Sequence, residues 1–350
     1  MKIACFVADE SGCGFYRVTQ PYSLLREHEV RFRKAVVTPD LYWCDVAVFQ
    51  RVDHPDVISR MREVKALGKR VILDFDDQLH DLPASNPCAT VWGAGKEATN
   101  NFEEALDVAD LVTASTQALA DAYSHFRTDI MVCENFVDSY YLKSLSPVEI
   151  DGSPKITGQV RIGYVGSPTH DGDIASVSQA LTKVARLYPE VRFVFFGQKS
   201  CLPAALSDRV EYHPCIGKEP QESLSEFMLR YYKKIGSLNL DIAIAPLKAN
   251  AFNDCKSFIK CLEYGMMGIP IVASDVGPYS DYIERGGPIV TAHDHHDWIG
   301  HLSALVEEGF VRRGMAEANL KHIRRNHTEA SALIQWEAAL ASLVPVCTTA

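Results

Sequence analysis

Several polar side chains lie close together in the carboxy-terminal half, and as a group they are suited to binding an anion. Asp254, Lys256 and Ser257 follow Ile242–Ala245, an apolar run whose length and β-branched residues are typical of a buried parallel strand. Apolar residues at helical spacing then predict a helix that begins near Ser257 and carries Glu263. Since the first N–H groups of a helix have no partner within it, a phosphate placed there gains hydrogen bonds and a favourable dipole.

The same segment offers groups for a sugar next to a phosphate. Lys256 supplies a compact positive charge for a diphosphate, and the Ser257 hydroxyl adds a hydrogen bond. An ionised Glu263 only accepts hydrogen bonds, which suits the two hydroxyl donors of a ribose. The residue types therefore predict a site for a nucleoside diphosphate.

The amino-terminal strand, Lys2–Ala8, leads into a glycine-rich segment. Gly12 and Gly14 predict a tight turn that a ligand can approach closely, and Arg17 follows at the start of a helix. The dinucleotide fingerprint G-x-G-x-x-G fails because Arg17 stands where the third glycine belongs. A plain turn with an exposed Arg17 explains these residues equally well.

The second half repeats this order of elements. A strand at Arg161–Val165 is followed by a turn that contains Gly166, Ser167 and His170, and a helix is predicted from about Gly172. Because the carboxyl ends of parallel strands meet at one sheet edge, this turn is expected near the anion site.

Further strands are predicted at Val30–Val37, Val46–Phe49, Arg70–Asp74 and Val191–Phe196. Of these, Arg70–Asp74 runs into the acidic sequence DFDDQLHDLP. Its titratable residues are Asp74, Asp76, Asp77, His80 and Asp81. Like charges at such spacing repel, so a compensating group is expected: a cation held by oxygen ligands, an arginine, or a ligand rich in hydroxyls. An Asp-rich turn that caps the next helix is the structural alternative.

A histidine-rich segment, residues 293–297, also contains possible metal ligands. Asp294 or Asp297 is, however, a natural N-cap for the helix that carries Trp298, and we favour capping over metal binding.

Length and charge limit the classes of protein to consider. The chain has 350 residues, which corresponds to about two domains, and its formal net charge of −10 argues against a broad nucleic-acid surface. Apolar runs fall well short of the ~18 residues of a membrane span, and MKIACFVADES lacks the length of a secretory signal. The ten cysteines contain no C-x-x-C pair, so we expect reduced thiols in a cytoplasmic protein.

The order of predicted elements indicates an α/β protein of two domains. Strands alternate with helices in both halves, as in parallel βαβ units. Residues 1–150 form the first predicted domain and residues 156–327 the second, joined by an aperiodic linker at 143–159. Such a pair forms two facing Rossmann-like domains with a cleft between their carboxyl edges.

These motifs resemble the GT-B glycosyltransferases, most nearly glycosyltransferase family 4 and its phage and bacterial members. The resemblance covers nearly the whole chain. It is most specific in KSFIKCLEYGMMGIPIVASDVGPY (256–279), then in RIGYVGSPTHDGDI (161–174) and SGCGFYR (11–17). It implies that the last segment, 328–350 with Trp336, crosses back as a helix to complete the first domain.

The resemblance also implies roles for site residues. The family's E-x7-E pattern places its ribose-binding glutamate at Glu263, whereas the first glutamate, which contacts the donor sugar, falls on Cys255. Asp254 or Lys256 is the expected substitute. Since Ser167 and His170 stand in the turn where the family has an arginine, Lys256 is expected to be the principal cation on the diphosphate.

For the first domain, the resemblance places Gly12, Gly14 and Arg17 near the donor phosphates. Gly166 and Ser167 approach the donor from the second domain, and the DFDDQLHDLP segment lines the acceptor side.

The implied reaction is sugar transfer from a nucleoside-diphosphate sugar, expected to be a UDP-sugar, to an acceptor hydroxyl. Family members of this kind retain the anomeric configuration and need neither a metal nor a further cofactor. The leaving diphosphate takes the acceptor proton, so no side-chain base is required. If one exists, Asp76, Asp77 and His170 are the candidates beside Lys256.

Other functions remain open on the sequence. A nucleotide-sugar epimerase shares this architecture, and a nucleotide or phosphosugar sensor fits the loss of the glutamate at Cys255. A redox enzyme fits least, because neither glycine turn completes the fingerprint. The acceptor is undetermined among polysaccharide, protein, small molecule and a hydroxymethylated DNA base.

Overall fold

The structure is a computed structural model that describes residues 1–145, 150, 152–200 and 202–343. Its first half, here the amino-terminal lobe, contains one parallel sheet with the strand order β2-β1-β3-β4-β5-β6. The strands are β1 Lys2–Phe6, β2 Glu29–Arg33, β3 Val46–Gln50, β4 Arg70–Phe75, β5 Leu111–Ala114 and β6 Met131–Val132.

The second half, here the carboxy-terminal lobe, contains a second parallel sheet with the order β12-β11-β10-β7-β8-β9. The strands are β7 Val160–Val165, β8 Val191–Phe196, β9 Val210–His213, β10 Ile242–Ala245, β11 Ile271–Ser274 and β12 Val290–Ala292. Every residue of β3 and of β10 is buried, as expected for strands covered on both faces by helices.

Helices alternate with these strands. Those of the amino-terminal lobe are α1 Gly12–Gly14, α2 Gln20–Leu24, α3 Thr38–Trp43, α4 Pro55–Ala66, α5 Glu97–Val108, α6 Gln117–Ala122 and α7 Ser139–Ser144. A π-helical stretch, Phe15–Thr19, joins α1 to α2. The later helices are α8 Asp171–Ser176, α9 Ser178–Leu187, α10 Leu224–Ser237, α11 Ala251–Asp254, α12 Ile259–Gly265, α13 Gly277–Glu284, α14 His295–Glu307, α15 Gly309–Asn326 and α16 Glu329–Ser342.

The last helix returns to the amino-terminal lobe, as the resemblance implied. An isolated parallel bridge joins Val137 to Thr328 just before α16 begins. Trp336 of α16 is buried and meets the Tyr22 ring edge-on, with ring centroids 5.7 Å apart. The α16 helix therefore belongs to the core beside β1 and α2, although it is the last described element of the chain.

Three predicted elements differ in the structure. Gly12 and Gly14 are helical rather than in a turn, because the Asp9 side chain accepts hydrogen bonds from the N–H groups of Ser11 and Gly14 at the helix start. The strand predicted at residues 30–37 ends at Arg33.

The third difference lies beside β10. Part of the loop predicted there is helix α11, which Asn250 caps by accepting a hydrogen bond from the N–H of Asn253. The next helix accordingly begins at Ile259 instead of near Ser257.

Other expectations are met or fall outside the described residues. Asp294 caps α14 by accepting hydrogen bonds from the N–H groups of His296 and Asp297, which confirms capping at the histidine-rich segment. The predicted linker and the end of segment 328–350 lie partly outside the described residues. Along the described part of the chain, every helix is too short or too polar to cross a bilayer.

Candidate functional site

A cavity of about 370 Å³ lies between the lobes, where the carboxyl ends of strands from both sheets face each other. Ligand pockets in proteins commonly have volumes of this order. The amino-terminal lobe contributes residues that follow β1, β4 and β6, and the carboxy-terminal lobe contributes residues that follow β7, β8, β9 and β10. Edges of this kind are where open parallel sheets bind their ligands.

Most of the predicted site residues meet at this cavity. Those that line it are Gly12, Asp76, Asp77, Gly166, Ser167, His170, Lys256, Ser257 and Glu263. Gly14, Arg17 and Asp254 do not line it.

Arg17 is a structural residue rather than a neighbour of the cavity. Its guanidinium is fully buried and donates to both carboxylate oxygens of Asp74, at 3.1 and 2.7 Å. It also donates to the Asn135 side chain and lies 4.9 Å from the centre of the Trp336 ring. Burial raises the pKa of Asp74, and the Arg17 charge opposes this shift. The expectation that Arg17 lies beside the donor phosphates is therefore corrected.

Gly14 and Asp254 lie away from the cavity for different reasons. Gly14 packs against Asp9, and a Cβ atom there would collide with the backbone oxygen of Asp9. Asp254 is exposed, and its backbone touches Gly277 on α13.

Cys255 also turns away from the cavity. It is buried within the apolar core of the amino-terminal lobe, although its neighbours in sequence belong to the other lobe. Its backbone oxygen accepts a hydrogen bond of 2.8 Å from the Thr116 hydroxyl, and its thiol lies 3.7 Å from the backbone oxygen of Ala118. The residue at the position of the missing glutamate thus holds the lobes together.

Lys256 crosses the cleft to the amino-terminal lobe. Its ammonium lies 2.9 Å from Asp77 and 4.3 Å from the centre of the Phe252 ring. Burial lowers the pKa of Lys256, but the charge and hydrogen bond of Asp77, together with nearby Cys13 and Asp76, outweigh burial, so the pKa is raised overall. Burial likewise raises the pKa of Asp77, but the charge and hydrogen bond of Lys256, together with Arg51 and His170, outweigh burial, so the net shift is downward. Both groups are charged at neutral pH.

Asp76 has a less favourable environment than its neighbour. Burial, followed by the charge of Asp77, raises the pKa of Asp76 to about 6, while Arg51 and a hydrogen bond from the Cys13 thiol oppose the shift. Its Oδ1 atom is buried and has no protein partner. Arg51 lies 3.2 Å from Asp9 and adopts the left-handed backbone conformation, with φ of 42°.

His170 faces the cavity from the second lobe. Its Nδ1 atom lies 2.9 Å from the Asp173 carboxylate, which also accepts a hydrogen bond from the N–H of Lys248. Burial lowers the pKa of His170, although Asp173 opposes this shift. His80 of the acidic segment, by contrast, contacts Tyr123 and Glu103 and has a structural role.

Glu263 lies at the base of the cavity and has partners in both lobes. Its Oε2 atom is 2.9 Å from the Lys260 ammonium, and its Oε1 atom accepts a hydrogen bond of 3.3 Å from the Tyr16 hydroxyl. Nearby, Asn135 donates to the Ser257 hydroxyl at 2.9 Å. The contacts Tyr16–Glu263 and Asn135–Ser257 both join the lobes, and each joins residues that are far apart in sequence.

The polar lining residues that the sequence did not predict include Cys13, Tyr16, Asn135 and Lys260. Lys260 stands four residues after Lys256 and three before Glu263, and helical spacing alone could have indicated it. The other three come from the amino-terminal lobe, and no local pattern links them to the carboxy-terminal helix.

Part of the cavity lining is apolar. The side chains there are Phe196, Ile216, Phe227, Met228 and Tyr231. Gly197, with φ of 83°, passes so close to Gly166 and Cys215 that a Cβ atom would collide with the backbone of Gly166. Apolar side chains of this kind are suited to a flat aromatic ligand group.

Metal binding was one alternative for the acidic segment. Within the ranges that the structure describes, no three His, Cys, Asp or Glu side chains converge on a point where they could hold a metal ion. The compensating charges at this segment are Arg51 and Lys256.

Two parallel α/β lobes with a cleft between their carboxyl edges define the GT-B architecture, and this chain has that fold. HepE (Alr3699) of Anabaena in complex with UDP-glucose is one similar solved structure. Its TM-score is 0.64 and its identity 14%, over 98% of this chain and 100% of that one. Sucrose-phosphate synthase of Thermosynechococcus elongatus has a TM-score of 0.62 and 11% identity, over 98% of this chain and 99% of that one.

TarM of S. aureus, in complex with UDP among other ligands, has a TM-score of 0.58 and 16% identity. The match covers 84% of this chain and 55% of TarM, so this chain spans little more than half of that protein. A Listeria monocytogenes protein assigned as a UDP-N-acetylglucosamine 2-epimerase has a TM-score of 0.53 and 10% identity, over 97% and 96% of the two chains. No protein-family profile matches the chain, and no curated protein is similar in sequence.

Proposed function

We propose that this protein is a glycosyltransferase that moves a sugar from a UDP-sugar to an acceptor hydroxyl. The observation that carries the proposal is the placing of Lys256, Lys260 and Glu263 around one cavity between the lobes of a GT-B fold. Neighbours in complex with UDP or UDP-glucose support the choice of nucleotide. Membership of glycosyltransferase family 4 is part of the proposal and rests on the motifs in the sequence.

Each part of the cavity matches one part of such a donor. The apolar part of the lining receives the base, and Glu263 accepts hydrogen bonds from the ribose hydroxyls. Lys256, Lys260 and Ser257, with the backbone at Gly166 and Ser167, receive the diphosphate. The transferred sugar then lies between Asp76 and Asp77 of the amino-terminal lobe and His170 of the carboxy-terminal lobe, which all line the cavity.

The proposed chemistry needs positioning and positive charge more than a side-chain base. As the bond between sugar and diphosphate breaks, negative charge grows on the leaving phosphate, and the Lys256 ammonium stabilises it there. In a retaining, metal-independent route, the acceptor attacks from the same face and passes its proton to the leaving phosphate. His170, which burial keeps neutral near pH 7, is available to accept a hydrogen bond from a hydroxyl in this region.

The first test is binding of nucleoside diphosphates measured by thermal shift and calorimetry. UDP at ~100 times its dissociation constant should add ~2.7 kcal/mol of stability. Lys256→Ala should weaken UDP binding roughly tenfold or more, since hydrogen bonds to charged groups contribute ~1.5–3 kcal/mol. Lys233→Ala, at an exposed lysine remote from the cavity, is the matched control. A protein that responds to no nucleoside diphosphate would not have the proposed donor site.

A nucleotide-sugar epimerase is the second candidate, because the Listeria protein shares the fold. The products separate the two functions. A transferase releases UDP in proportion to acceptor and forms a new glycoside, whereas an epimerase converts the UDP-sugar to its epimer without any acceptor. Incubation of UDP-glucose and of UDP-N-acetylglucosamine, each with and without an acceptor panel, decides between them.

A further inference from the structure

Tyr16 connects the amino-terminal lobe to the proposed ribose site. It belongs to the π-helical stretch Phe15–Thr19, and π-helical turns are frequent at functional sites. Its ring lines the cavity, yet the residue is only 2% exposed. The hydroxyl lies 2.5 Å from the hydroxyl of Tyr232 and 3.3 Å from Oε1 of Glu263, both in the carboxy-terminal lobe.

The directions of these hydrogen bonds follow from the groups present. Glu263 as a carboxylate only accepts, so the Tyr16 hydroxyl donates its proton to Glu263 and accepts from Tyr232. Lys260 donates to the other carboxylate oxygen, 2.9 Å away. Burial raises the pKa of both tyrosines, so both hydroxyls keep their protons at neutral pH. The chain of hydrogen bonds therefore runs from Tyr232 to Tyr16 and ends at the Glu263 carboxylate as acceptor.

This arrangement restricts the Glu263 side chain. Its helix supplies one partner, Lys260, and the facing lobe supplies the other, Tyr16. A carboxylate held at both oxygens keeps one orientation and loses little side-chain freedom when a ligand binds. Each oxygen retains a further lone pair for a ligand hydroxyl.

We propose that Tyr16 is a positioning residue for ribose recognition, which orients Glu263 through the hydrogen bond between the lobes. The inference rests on the proposed function, because it assigns Glu263 to the ribose. It adds that the amino-terminal lobe takes part in nucleotide recognition, and that selectivity for ribose over deoxyribose depends on Tyr16.

The test compares UDP with 2′-deoxy-UDP by calorimetry. Wild-type protein should bind UDP roughly tenfold or more tightly than 2′-deoxy-UDP, since a hydrogen bond to a charged acceptor is lost with the 2′-hydroxyl. Tyr16→Phe removes only the hydroxyl and should reduce this ratio to about twofold or less, because Glu263 is then held at one oxygen alone, by Lys260, and can rotate away from the ribose. Tyr282→Phe is the matched control, since it removes a buried hydrogen bond of 2.8 Å to Asn319, away from the cavity.

The outcomes separate this inference from the proposed function. If wild-type protein binds UDP and Tyr16→Phe keeps the full ratio, the role of Tyr16 is overturned while the nucleotide site stands. If wild-type protein binds no nucleoside diphosphate, both proposals fail. If Tyr16→Phe does not fold, Tyr232→Phe provides the second test, because it removes the donor behind the Tyr16 hydroxyl. A ratio in Tyr232→Phe equal to that of wild-type protein then overturns the inference.

Discussion

The ion pair between Lys256 and Asp77 predicts that removing a charge from the cleft strengthens donor binding. The ammonium is 2.9 Å from Asp77, with the two side chains 20% and 25% exposed. A diphosphate must compete with this carboxylate for Lys256 and is also repelled by it. Asp77→Asn removes both effects and should therefore bind UDP more tightly than wild-type protein.

The geometry sets the size of the effect. At 2.9 Å and an effective dielectric constant of about 20, the gross attraction is roughly 6 kcal/mol. Desolvation and side-chain ordering offset most of this attraction. Exposed ion pairs contribute below ~1 kcal/mol, and breaking a buried pair costs ~3–5 kcal/mol, so the net value for this half-buried pair lies between the two. We expect a gain of about 1 kcal/mol in UDP binding, or roughly fivefold in Kd.

Isothermal titration calorimetry with UDP checks this value. The matched control is Asp81→Asn, a change at an exposed carboxylate of the same acidic segment, which should leave Kd unchanged. Circular dichroism and the melting temperature without ligand establish that the variants are folded. A folded Asp77→Asn protein that binds UDP no more tightly than wild-type protein would refute the competition between Asp77 and phosphate for Lys256.

Three further predictions concern stability. Asp76 has a folded pKa of about 6 against 3.8 for the free group. The contribution of Asp76 to the free energy of unfolding is therefore fully present below pH 3.8 and is lost as pH rises through about 6. The stability of Asp76→Asn relative to wild-type protein, measured by urea unfolding, should accordingly increase by about 2 kcal/mol from pH 4 to pH 7.5. Arg17→Met leaves the buried Asp74 unpaired and should cost about 3–5 kcal/mol by the same measurement. Cys255→Glu places a carboxylate in the amino-terminal core and should cost roughly 3 kcal/mol, seen as a lower melting temperature.

The predictions for Arg17 and Cys255 each have a control in the same chain. Arg62→Met removes an arginine that is 58% exposed and paired with Glu104, and should cost less than about 1 kcal/mol. Asp254→Glu, at the exposed neighbour of Cys255, should leave the melting temperature nearly unchanged. A pH-independent difference for Asp76→Asn, or equal costs at Arg17 and Arg62, would contradict the burial and pairing described for these residues.

The sequence by itself determined many of the strands and the residues that follow them. Strands such as Ile242–Ala245 and Val191–Phe196 have the observed bounds, because short apolar β-branched or aromatic runs between turn residues have few alternatives. Lys256, Ser257 and Glu263 lie at the cavity because a strand, loop and helix place them locally, within one lobe. The two parallel sheets followed from the alternation of strands and helices.

Only the tertiary structure decided which residues meet across the lobes. Arg17 had the residue type expected for phosphate binding, but a buried carboxylate, Asp74, fifty-seven positions away, binds it instead. Tyr16 gave no signal, since its partners Tyr232 and Glu263 are more than two hundred positions away. Local periodicity contains no information about such contacts, because they depend on how the sheets of the two lobes face each other.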